Sequence, residues 1–134
     1  MRCGFEWCVR LSSRQASAAQ IFVCNFRKAH EPLARKAGVS SAEIHAIHDI
    51  SATGQADSLH VFSPLMAAAM NYVDASTLNI IVEQKKFDAL KAHLNDQQLV
   101  EVAITVGAFN MIGRMLVALD VEDMNAEDFP LPLE

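Results

Sequence analysis

The stretch that decides the fold is NDQQLVEVAITVGAFNMIGRMLVAL, Asn95–Leu119. Apolar residues recur at three- and four-residue spacings throughout it, and no strand-like alternation interrupts them. Asn95 followed three residues later by Gln98 is a helix-start signature, since each side chain can satisfy a backbone group of the other. A helix over this stretch spans about 35 Å. Its apolar residues cover most of the circumference: Leu99, Val100, Val102, Ala103, Ile104, Val106, Phe109, Met111, Ile112, Met115, Leu116 and Leu119. Such a helix has to be enclosed, by its own domain or by a partner subunit.

Working outward, the rest of the chain also reads as helical, which makes the expected class all-α. Residues from about Ser17 to Ala37 form one helix, kinked near Lys28 by Pro32 and ended by Gly38 in a left-handed conformation. Ser40-Ser41-Ala42-Glu43 is a capping box that opens a short helix through Ile44, Ile47 and Ile50. Residues 51–60 read as a loop. Ser63-Pro64 opens the next helix, with Pro at a position where no N–H is needed. A break is expected between Asp74 and Val82, then a helix over about Glu83–Leu94 with Phe87, Leu90 and Leu94 on one face.

Composition limits the classes of function. The 134 residues are 51% hydrophobic and 20% charged, which is globular rather than disordered. No run of about 18 apolar residues is free of polar interruption, so a membrane span is not expected. One Trp, one Tyr and a net charge of −5 argue against nucleic-acid binding. Residues 1–36 carry seven Lys or Arg against two acids, and residues 37–134 carry four against fourteen. Cys3, Cys8 and Cys24 form no C-x-x-C, so neither a zinc ribbon nor a dithiol pair is expected. A cytoplasmic location follows, with a mitochondrial presequence in Met1–Ser17 as the alternative.

Polar residues within the long helix are the first candidates for chemistry. Gly107, Asn110 and Arg114 stand at i, i+3 and i+7, on one face. A buried arginine needs a carboxylate, a phosphate or several carbonyls. Either a protein acid pairs with Arg114, within the chain or across a subunit interface, or an acidic ligand does. Gly107 suits close approach of another helix or a ligand. His30, followed by Glu31 and Pro32, is a candidate proton donor. His45 and His48 lie one turn apart, but two ligands do not make a metal site, and no metal or organic cofactor is expected. Glycine-rich nucleotide loops, G-x-S-x-G and H-E-x-x-H are absent from the sequence.

Two segments carry a family resemblance: AHEPLARKAGVSSAEIHAI (Ala29–Ile47) and FDALKAHLNDQQLVEVAITVGAFNMIGRMLVALDVE (Phe87–Glu122). They resemble the carboxymuconolactone decarboxylase family, whose relatives include alkylhydroperoxidase-type proteins. The resemblance implies an alkylhydroperoxidase-like bundle of five to six helices, assembled as trimers or hexamers. It divides the chain into a divergent segment 1–28, a helical domain 29–122 and an acidic tail 123–134.

The same resemblance implies lyase chemistry on a small unsaturated organic acid or lactone, as in aromatic catabolism. His30 matches the histidine that follows a C-x-x-C in the peroxidase branch. Val23 and Phe26 stand where those cysteines would fall, and many decarboxylase-like members have Glu in place of Phe26. Cys24 is one residue out of register. Three functions therefore stay open. The first is a cofactor-independent decarboxylase using His30, Arg114 and Asn110. The second is a catalytically weakened oligomeric binding protein. The third is a thiol peroxidase.

Overall fold

The computed structural model describes residues 31–48 and 55–121. All regular structure among them is helical. His30, the three cysteines, Val23, Phe26 and the tail 123–134 lie outside the described residues, as do the N-terminal part of the Ser17–Ala37 helix and Ile50.

Residues 31–36 are helical and end as the glycine signal requires. Gly38 takes φ +92°, its N–H donates to Arg35 O, and the Val39 N–H donates to Ala34 O. This pair of bonds, with buried Ala34 and Val39 closing over it, is a Schellman stop. The capping box forms next. Ser40 N–H donates to Glu43 Oε2 at 2.9 Å, and Glu43 N–H donates to Ser40 Oγ at 3.2 Å. It starts α1, Ser41–His48, whose Ile44 joins Ala34 and Val39 in a small cluster.

The expected loop 51–60 is not wholly irregular: Ala56–Leu59 forms a 3-10 turn. An interaction distant in sequence holds it. Asn71 Oδ1 accepts from Ala56 N–H at 3.2 Å, and Asn71 Nδ2 donates to Asp57 Oδ2 at 2.9 Å.

Three longer helices follow. α2, Pro64–Leu78, is capped by Ser63, whose Oγ accepts from Met66 N–H at 3.3 Å. It is the central element, buried from Met66 to Asn71 and again from Val73 to Ala75. α3, Gln84–Lys91, contributes Leu90, which is fully buried. α4, Asp96–Ala118, begins with the reciprocal Asn95–Gln98 cap, at 2.9 and 3.0 Å. α2 packs against the 3-10 turn, α3 and α4, and α3 also meets α4. The core gathers Ile47, Ala56, Met66, Met70, Val73, Leu90, Val102 and Val106.

Candidate functional site

The long helix is enclosed on one side only. Val102, Val106 and Gly113 are buried, at i, i+4 and i+11, and this side lies against α2. The opposite side carries Val100, Ile104, Met111 and Met115, between 49% and 66% exposed. Gly107, Arg114 and Ala118 are exposed between and beyond them.

This corrects the expectation that Arg114 is buried. Its guanidinium is exposed and makes no hydrogen bond or ion pair among the described residues. The geometric reason is the helical repeat. Arg114 follows Gly113, which faces the core, by about 100°, and that step carries it to the outward face. Gly107 also points outward. A Cβ built on it meets nothing within 4 Å, so no described part of the chain makes the close approach expected there.

Asn110 turns the other way. It is half-buried, and its Nδ2 donates to Thr77 Oγ1 on α2 at 3.2 Å. The face-sharing expected of Gly107, Asn110 and Arg114 therefore splits at the edge of the helix. Asn110 joins the inner seam, and the other two face outward. His30 lies outside the described residues. Its neighbour Glu31 accepts two hydrogen bonds from Arg35, at 2.8 and 3.0 Å.

Two buried polar residues were not singled out from the sequence. Asn71 and Asp74, 7% and 2% exposed, sit one turn apart on α2. Asn71 ties α2 to the 3-10 turn. Asp74 lies one turn before Thr77 and so shares the side of α2 that meets Asn110. The signal that drew attention to Arg114, a polar residue in an apolar helix, was present at both positions. Tyr72 is half-buried beside them, and desolvation raises its phenol pKa above the ordinary value.

His45 is exposed on α1. Among the described residues no three His, Cys, Asp or Glu side chains gather as a metal-binding group would. The membrane expectation needs a qualification. Asp96–Leu116, with mean hydropathy 1.5, is long and apolar enough to cross a bilayer by length and composition alone.

The candidate site is thus an outward face of α4: an apolar stripe with one cation. Compared with protein-family models, with curated proteins and with solved structures, the chain matches none.

Proposed function

We propose that this chain is the subunit of a homo-oligomeric, all-α protein of the carboxymuconolactone decarboxylase type, and that α4 is its assembly surface. One observation carries the reading. Four large apolar side chains, Val100, Ile104, Met111 and Met115, stand exposed on a helix whose other side is already packed. Contiguous exposed apolar surface of this kind marks a binding surface. The resemblance in Ala29–Ile47 and Phe87–Glu122 points the same way, toward oligomers that bind small organic acids. Light scattering on the purified chain tests it. An oligomer at micromolar concentration is expected, and a monomer contradicts the reading.

The second reading keeps catalysis, and the exposed Arg114 guanidinium favours it. In that reading Arg114 grips the carboxylate of a small unsaturated lactone acid through two parallel hydrogen bonds. The bond from the carboxyl carbon breaks, CO2 leaves, and the electron pair passes into the conjugated lactone as an enolate. His30 then protonates carbon. Asn110, already donating to Thr77, would have to turn its amide to meet the enolate oxygen. The test is CO2 release from lactone acids by the wild-type chain and by His30→Ala. Equal rates would remove His30 from the reaction.

A further inference from the structure

We propose that two copies of this chain pair through the outward faces of α4, antiparallel about a two-fold axis between Ile104 and Gly107, with each Ile104 seated against the partner's Gly107. The inference rests on the oligomeric reading above and adds which copy-to-copy contact is made.

Spacing is the first argument. Val100, Ile104, Gly107, Met111, Arg114 and Ala118 follow one another at alternating steps of four and three, and all six are exposed. That alternation forms a seam along which a second helix packs with a shallow crossing angle. The stripe is otherwise apolar from Val100 to Met111.

Shape is the second. In the antiparallel register centred between Ile104 and Gly107, a branched side chain meets a residue with no side chain, twice, by symmetry. Val100 then lies against the partner's Met111. The space above Gly107 is open among the described residues, so nothing has to move to admit the partner's Ile104.

Charge fixes the direction. Arg114 is the sole Lys or Arg within α4, and it stands in the last third. Asp96 and Glu101 are the sole acids, and both stand in the first third. An antiparallel copy brings each guanidinium to the level of the partner's acidic end. A parallel copy sets like charge beside like. The helix dipoles favour the same arrangement, because each C-terminal end comes to lie beside an N-terminal one. Glu101, exposed beside the stripe, also disfavours a lipid occupant, since an acidic side chain is costly in hydrocarbon.

A two-fold contact has a consequence for stoichiometry. It generates a dimer, or a hexamer built as three dimers, and it excludes a lone trimer, whose three-fold interfaces are head-to-tail.

The test uses the full chain with Cys3, Cys8 and Cys24 replaced by Ser and a spin label at Met115→Cys. Antiparallel pairing sets the two labelled positions roughly 30 Å apart along the seam, at 1.5 Å per residue. A label at Thr105→Cys, beside the axis, gives a short distance. A charge pair follows. Arg114→Glu weakens association at least tenfold, and Arg114→Glu with Asp96→Lys and Glu101→Lys restores it. An oligomer with short distances at both labels overturns the antiparallel seam and leaves the oligomeric reading standing. A monomer overturns both. A monomer that floats with vesicles of phosphatidylcholine and phosphatidylserine assigns the face to lipid and also overturns the proposal.

Discussion

Asn110 donates to Thr77 across 3.2 Å, and this bond ties the second half of α4 to the end of α2. Its partners are 33 residues apart in sequence, so it fixes how the long helix lies on the core. It lies on the same side of α4 as the buried Val102, Val106 and Gly113, opposite the residues that face outward. Replacing Asn110 by Ala should cost about 1 kcal/mol, and Thr77→Val a similar amount, because each removes a half-buried hydrogen bond. The two losses should not add, since either substitution breaks the same bond. Urea unfolding of the two single variants and the double variant checks this. Additive losses would mean that the bond does not couple the helices.

Asn71 has a larger structural share. Asn71→Leu strips the acceptor from the Ala56 N–H and the donor from Asp57. A buried N–H left without an acceptor costs about 1–3 kcal/mol. The expected result is a loss of about 2–3 kcal/mol, with faster amide exchange at Ala56. An unchanged stability would show that the 3-10 turn is held by something else.

Much of this architecture was legible in the sequence because its signals are local. The Gly38 stop, the Ser40–Glu43 box, the Ser63-Pro64 start and the Asn95–Gln98 cap each depend on residues a few positions apart, and each forms as expected. The 3-10 turn was not legible, because its anchor is Asn71, some fifteen residues away. Arg114 shows the limit of counting apolar residues around a helix. Composition said that α4 must be covered on nearly all sides. It did not say that one side is left for something other than this chain's described residues. The edge of the stripe falls between Asn110 and Arg114, four residues and 40° apart, which spacing alone does not resolve.

Ile80 holds a strained backbone in the turn between α2 and α3. Its φ is +65°, a region costly for a β-branched residue, and its side chain is 78% exposed. Ile80→Gly removes about 1–2 kcal/mol of strain and gives back about 0.5–1 through the freer unfolded chain. A net gain of about 0.5–1 kcal/mol is expected, read as a rise in Tm. A fall in Tm would show that the Ile80 side chain has a packing role.

Tyr72 predicts the response to alkali. Burial raises its pKa, so the folded chain holds this proton at pH values where the unfolded chain has lost it. Stability is therefore unaffected by this group below about pH 10 and declines as pH rises beyond it. The chain has one Tyr, so tyrosinate absorbance reads this group alone. Its midpoint should lie above that of the urea-unfolded chain, and Tyr72→Phe should flatten the alkaline decline. Equal midpoints in the two states would contradict the burial.

Gly107→Leu tests the assembly surface most directly. The new side chain enters open space and replaces a poor helix former with a good one, so the subunit itself should be at least as stable. It also fills the position that the partner's Ile104 needs. Sedimentation of both proteins at the same concentration should give an even-numbered oligomer for the wild type and a folded species of half that mass for Gly107→Leu, a monomer from a dimer or a trimer from a hexamer. An oligomer of unchanged mass and affinity in Gly107→Leu would contradict the account, because the outward face of α4 would then not be where the subunits meet.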